Sequence, residues 1–174
     1  RAFRSRAEAR FYEACRDQLP AGVVVVHSAG WIYRDARGRL REGEADFTIL
    51  DPQAGVLAVE VKGGGVAFDA STGRWFSVDR EGRRNEIKDP FKQASGERHA
   101  LLDQLTGHAT WRQWPGRRLT LGHAVMLPDI SDSTPIRGPD RPKEIIGVNA
   151  DVRAVAQWFE RVMRFWKRPE DDAL

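Results

Sequence analysis

One segment, Val56-Leu57-Ala58-Val59-Glu60-Val61-Lys62, constrains the chain more than any other. It is a mostly apolar, β-branched run of the length and composition of a buried strand, yet it carries two opposite charges near its end. A period of two puts Val56, Ala58, Glu60 and Lys62 on one face and Leu57, Val59 and Val61 on the other. Glu60 and Lys62 therefore project together. Taken alone, the pair suits either an active-site strand or the solvated half of an amphipathic edge strand with a cross-strand ion pair.

Context separates these readings. The chain of 174 residues has 25 Asp plus Glu, and its 28 basic residues divide into 23 Arg and only five Lys. Chance alone yields about 0.7 acid-x-Lys matches in such a chain, so the tripeptide is weak by itself. A second match, Glu86-Ile87-Lys88, falls in a polar stretch that reads as a turn before a helix. Only the first is embedded in an apolar strand that follows an acid-bearing one, Glu44 to Leu50. The turn chemistry of Asp51-Pro52-Gln53-Ala54-Gly55 joins these strands as a hairpin and brings Asp46 near Glu60. Two carboxylates at strand ends suit a hard cation such as Mg²⁺, which keeps several waters and needs only one or two protein carboxylates. A neighbouring Lys can orient a water or offset developing charge.

The remaining elements frame this hairpin. Ser5 to Leu19 reads as a helix, with Ala7, Phe11, Cys15 and Leu19 at helical spacing and Ser5-x-x-Glu8 as a capping box. Val23 to Ser28 reads as a buried strand extending toward Tyr33, and Arg34 to Arg41 as a basic loop or hairpin tip. Gly63-Gly64-Gly65 is read as a turn that lets substrate backbone approach, and Val66 to Phe68 with Arg74 to Val78 as a smaller hairpin. Asp89-Pro90 starts a long helix with Asp as N-cap, whose stripe is Phe91, Ala94, Arg98, Leu101, Leu102 and Leu105. Leu119 to Leu127 and Glu144 to Val148 read as strands, and a last helix begins near Asp151. The expected fold is α/β (α+β), a mixed sheet flanked by helices in the order α-β-β-β-(hairpin)-α-β-β-α.

Composition bounds the class. With 41% hydrophobic and 30% charged residues the chain folds, and apolar runs such as Val23 to Val26 are far too short to span a membrane. The single cysteine, Cys15, excludes an internal disulfide and a Cys-based zinc site, which makes the cytoplasm the default. Residues 1–168 read as one domain and 169–174 as a solvated tail. With no Met at position 1, we expect a domain from a longer protein.

Four stretches together carry a resemblance: Gly43-Glu44-Ala45-Asp46-Phe47-Thr48-Ile49-Leu50, Val59-Glu60-Val61-Lys62-Gly63, Lys88-Asp89-Pro90-Phe91-Lys92-Gln93-Ala94 and Ala124-Val125-Met126-Leu127-Pro128-Asp129. Over roughly residues 5 to 130 the chain resembles the nuclease-related domain (NERD) family, which is similar to the PD-(D/E)xK superfamily of restriction-endonuclease-like nucleases. Ala45 stands where the superfamily name has Pro, a common substitution.

The resemblance implies a metal-dependent nuclease domain that hydrolyses phosphodiester bonds in DNA, with RNA also open, as a module of a helicase or other DNA-processing protein. It makes Asp46 and Glu60 the ligands of Mg²⁺, with Mn²⁺ as a substitute, and Lys62 the catalytic lysine. Gln93 would position the water or a substrate phosphate, and free N–H groups at its helix start would suit a phosphate. Glu8 matches an acidic site position of relatives, with helix capping as the competing role. Glu44 suits either a supporting role beside Asp46 or a plain surface role. No small-molecule cofactor or membrane is expected.

The basic residues Arg37, Arg39 and Arg41, with Arg83, Arg84, Lys88 and Lys92, are the candidate nucleic-acid contacts. Trp111 and Trp114 near Arg112, Arg117 and Arg118 suit either a stacking patch or core. His27, His99, His108 and His123 show no metal-ligand spacing. The alternative to a nuclease is a nucleic-acid-binding or interaction module that keeps the fold without turnover. A plain scaffold leaves the Asp46, Glu60 and Lys62 grouping unexplained.

Overall fold

The structure is a computed structural model, and it describes residues 3–34, 37–113 and 119–168. Helix α1 (Arg6–Gln18) leads into a meander of three strands: β1 (Val24–Arg34), β2 (Leu40–Asp51) and β3 (Gly55–Val61). Three short strands follow, β4 (Gly65–Asp69), β5 (Arg74–Val78) and β6 (Arg84–Ile87), and then α2 (Pro90–Gly107) and α3 (Ala109–Arg112). The chain ends with β7 (Leu121–Met126), β8 (Ile146–Gly147), α4 (Asn149–Val152) and α5 (Val155–Trp166).

The main sheet has the order β1-β2-β3-β7-β8. Antiparallel pairing joins β1, β2 and β3, and parallel pairing joins β3 to β7 and β7 to β8. A separate antiparallel sheet holds β4, β5 and β6. The mixed α+β architecture is thus the one expected, and it is consistent with a restriction-endonuclease-like fold. Because β3 lies between β2 and β7, all seven of its residues are buried. It is central, which removes the edge-strand reading of Glu60 and Lys62.

The β2–β3 hairpin owes its turn to Asp51, whose Oδ1 accepts from the N–H groups of Gln53 (2.7 Å) and Ala54 (3.0 Å). Gly55 closes it at φ +118°, where a Cβ would also strike the Thr120 carbonyl. One core cluster takes Phe11 and Cys15 from α1, Phe47 and Ile49 from β2, Leu57, Val59 and Val61 from β3, and Trp158 and Val162 from α5. Phe11 stands edge-on to both Phe47 (centroids 5.1 Å) and Trp158 (5.6 Å). Phe47 and Ile49 lie opposite Val59 and Leu57, so Asp46 and Thr48 share the other face with Ala58 and Glu60.

Four local expectations fail. Glu86-Ile87-Lys88 is not a turn: Arg84–Ile87 pairs with β5 as a third strand. Of Glu144 to Val148 only Ile146–Gly147 is strand, because Pro142 leads into a 3₁₀ turn over Lys143–Ile145. The last helix is two helices, and Gln18 of α1 fills the break by donating to Val152 O (3.0 Å) and accepting from Val155 N–H (2.9 Å). Helix α2 buries Phe91, Ala94, Glu97 and Ala100 rather than its leucine stripe, and Leu102 is exposed. No helix among the described residues is long and apolar enough to cross a membrane.

Candidate active site

The site starts at the end of β3. Its Glu60 is 3% exposed, and the Lys62 ammonium lies 2.5 Å from Glu60 Oε1. Lys62 follows the last strand residue and is tied to β7 by its N–H, which donates to Met126 O (3.0 Å). Asp46 sits on β2 one residue beyond the Phe47–Val59 pair and accepts from Val61 N–H through Oδ2 (2.9 Å). On β1, register pairing skips Ser28 between His27–Phe47 and Ala29–Ala45, and Ser28 takes the left-handed φ of 53°. The kink faces Asp46 and costs of order 1 kcal/mol for a residue with a Cβ.

Burial and neighbouring carboxylates dominate the electrostatics. Desolvation first, and then Glu60, push the Asp46 carboxyl up, against the pull of Val61 N–H and Lys62. Glu8 adds a smaller push in the same direction, which places it near the cluster. Its N–H bonds Ser5 Oγ (3.1 Å), so the capping role is real. Its carboxylate also accepts from Ser5 Oγ (3.0 Å) and Arg4 N–H (3.2 Å), and Oε2 meets His27 Nε2 at 2.9 Å. Capping and a place beside the site coexist in one buried side chain.

Helix α2 closes the other side. Asp89 caps it, with Oδ1 accepting from Phe91 N–H (2.9 Å) and Lys92 N–H (3.1 Å). The first-turn N–H groups expected to receive a phosphate are therefore filled by Asp89. Gln93 sits on the inner wall of a groove of about 530 Å³ between α2 and the β1–β2 arm. Glu97 shares that wall one turn later. The leucine stripe read from sequence leaves Glu97 off the buried face and so hides it; its spacing of three from Ala94 and Ala100 is the available signal. Desolvation, Glu60 and Asp46 together hold its carboxyl far above the usual range.

The basic candidates divide. Arg41 and Lys92 line the groove, Lys92 being exposed and 4.0 Å from Asp89. Arg37 and Arg39 lie at the exposed far end of the β1–β2 arm, and Lys88 is exposed between β6 and α2. Arg83 is engaged by its own turn, with Asp79 at 2.7 Å and Glu81 at 3.3 Å, and Arg84 lies over the Phe76 ring at 6.0 Å. Glu44 pairs with Arg4 at 2.6 Å. At the glycine triplet the backbone is approached by helix α1, where Ala7 Cβ would sit 3.0 Å from a Cβ at Gly63. Gly64, at φ +75°, donates to Asp129 Oδ2 (2.8 Å). Trp114, Arg117 and Arg118 lie outside the described residues, as do the Arg112 side chain and the 169–174 tail.

Among the described residues no three His, Cys, Asp or Glu side chains form a ready-made metal cage. Asp46 and Glu60 nevertheless fit a hard cation that keeps its waters. Three clustered carboxylates face one lysine, and the buried Gln93 Oε1 and Glu97 Oε2 have no hydrogen-bond partner.

A mixed sheet whose central strands carry an Asp and a Glu-x-Lys, beside a helix bearing Gln, is consistent with a restriction-endonuclease-like fold. The family model for the nuclease-related domain matches residues 4–125, and the chain belongs to that family. No match was found among curated proteins or among solved structures.

Proposed function

We propose that this chain is a Mg²⁺-dependent nuclease domain that hydrolyses phosphodiester bonds in DNA, working as a module of a helicase or other DNA-processing protein in the cytoplasm. The observation that carries the reading is the Asp46, Glu60 and Lys62 cluster, held at the ends of two adjacent central strands. Asp46 and Glu60 would hold the cation, Mg²⁺ or Mn²⁺. When bound it lowers the pKa of a water and stabilises charge on a scissile phosphate.

The chain's own groups do the rest. Lys62, fixed against Glu60, places its ammonium where charge grows on the phosphate oxygens. The Gln93 amide can donate to a phosphate oxygen or orient the attacking water. Arg41 and Lys92 on the groove attract the backbone. The buried pairing of Glu8 with His27 braces the first helix beside Asp46. Water attacks phosphorus and gives up a proton to solvent, the P–O bond to the leaving nucleoside oxygen breaks, and that oxygen takes a proton from solvent.

The test is incubation of the chain with single-stranded DNA, duplex DNA and RNA, each with Mg²⁺, with Mn²⁺ and with chelator. Cleavage of DNA that needs the ion and disappears with Asp46→Asn is the expected result. Binding without cleavage under every ion condition would overturn the enzyme reading in favour of a binding module.

A further inference from the structure

One tryptophan stands apart from the packed interior. Trp75, Trp158 and Trp166 pack against other rings in or beside the core, whereas Trp31, on the β1–β2 arm, belongs neither to the core cluster nor to the side chains packed on it. It is half-buried and lines the groove of about 530 Å³ between the arm and α2. Its cross-strand partner is Gly43, and the indole sits directly on that backbone: a Cβ there would come within 2.9 Å of Cζ2 and 3.0 Å of Cε2 and Nε1. An aromatic ring over a strand glycine steadies such an arm, but any apolar side chain of similar bulk would give the same cover.

The rest of the groove suits a flat, uncharged group. On the α2 side it is lined by Gly96 and Ala100. Gly96 is exposed in the helix interior, where glycine is unfavourable relative to alanine, and no atom of the described residues lies within 4 Å of where its Cβ would stand. Packing within the chain therefore does not call for it, and its missing side chain leaves the groove open. Glu42, Glu44 and Asp103 line the same groove and would repel a phosphate, whereas a nucleobase is neutral and its amino groups suit carboxylate acceptors. Arg41 and Lys92, also on the groove, suit the phosphates beside such a base. By strand rise, Gly43 lies about 10 Å along β2 from Asp46, within reach of a neighbouring nucleotide.

We propose that Trp31 is a stacking platform for an unpaired base of the strand being cleaved, and that the groove between the arm and α2 thereby selects single-stranded over duplex DNA. The inference rests on the nuclease reading above and names the form of its substrate. A base within a duplex is stacked on its neighbours and must be extruded before it can meet the indole. An unpaired base meets it freely, and stacking on an aromatic side chain accepts any sequence.

Fluorescence anisotropy on the whole chain, in chelator so that nothing is cut, tests this with three probes: oligothymidylate, a strand of the same length that is abasic throughout, and a duplex. Trp31→Phe keeps a stacking face, and Trp31→Leu keeps apolar cover over Gly43 but loses that face. The parent should bind oligothymidylate more tightly than duplex, Trp31→Leu should weaken this binding by about 5- to 100-fold, and Trp31→Phe should retain most of it. All three proteins should bind the abasic strand alike, because it offers phosphates and no bases. Equal weakening on both strands in Trp31→Leu, or none on oligothymidylate, would overturn the inference and leave Trp31 as cover for Gly43. Should Trp31→Leu melt early, Gly96→Leu decides, because it leaves Trp31 in place, favours the helix and fills the groove. Weaker oligothymidylate binding at a melting temperature equal to or above the parent's then supports the proposal, and parent-like binding overturns it. A parent that cleaves DNA but binds the single strand no better than duplex also overturns it and leaves the nuclease reading intact, whereas a parent that neither binds nor cleaves DNA removes both.

Discussion

Asp46→Asn should make the protein more stable and less functional at once. The carboxylate is raised from 3.8 to about 6 by burial and by Glu60. In free-energy terms that is about 3 kcal/mol of unfavourable interaction in the charged form at neutral pH. Because Asp46 is only partly buried, solvent screening reduces this to about 1–2 kcal/mol. The sign follows from linkage: a carboxyl whose folded value exceeds its unfolded one favours folding when protonated, and its charged form at pH 7 opposes folding. Asn removes that charge, and its Oδ1 can still accept from Val61 N–H, the bond that anchors Asp46 now. With roughly 2–4 °C per kcal/mol for a domain of this size, the ion-free melting temperature should rise by about 3–6 °C. The parent should gain about 1.4 kcal/mol more from Mg²⁺ at ten times its dissociation constant, and the variant almost none. Differential scanning calorimetry at pH 7, with chelator and with Mg²⁺, reads both quantities. A lower ion-free melting temperature in the variant, or an undiminished Mg²⁺-dependent rise, would refute the reasoning.

Lys62→Ala should cut DNA cleavage by about 10²- to 10⁴-fold while Mn²⁺ binding survives, and Lys62→Arg should not restore the rate, since a planar guanidinium does not fit a compact ammonium's place; single-turnover assays check both. Neutralising Arg41 and Lys92 should lower the slope of log affinity against log salt on duplex DNA by about 0.9 for each phosphate they neutralise in the parent, and neutralising Arg37 and Arg39 tests whether the far end of the arm touches substrate; fluorescence anisotropy across salt concentrations measures this. His123 is buried, and desolvation holds its ring down to about 4 from 6.5, so its contribution is complete above pH 6.5 and is lost as pH falls toward 4, by about 2–3 kcal/mol at pH 4.5. Asp46 and Glu97, whose carboxyls are raised, act in the opposite direction, so urea unfolding at pH 7 and pH 4.5 is compared in Asp46→Asn with and without His123→Phe, and the variant with His123→Phe should lack the acid-side loss of about 2–3 kcal/mol.

Local patterns in the sequence determined most elements and the centre of the site. The alternation along Val56–Val61, the Asx turn at Asp51 and the Asp89-Pro90 helix start are each decided within a few residues, so they can be read without knowing what lies across the chain. The same patterns brought Asp46, Glu60 and Lys62 together, because a tight hairpin between two alternating strands leaves little freedom of register. Contacts distant in sequence decided the rest. Glu97 was hidden because leucines at helical spacing look like a core stripe, whereas the sheet presents an acidic, small-residue face that accepts Ala94, Glu97 and Ala100 instead. The break between α4 and α5 depends on Gln18, more than a hundred residues away, which supplies the bonds the backbone gives up there. Arg83, equal to its neighbours in the sequence, is engaged by Asp79 and Glu81 once the turn before β6 forms. Whether Glu60 faced water or a site was likewise a tertiary matter: the parallel pairing of β3 with β7 makes the strand central, and a carboxylate buried there persists because Lys62 accompanies it.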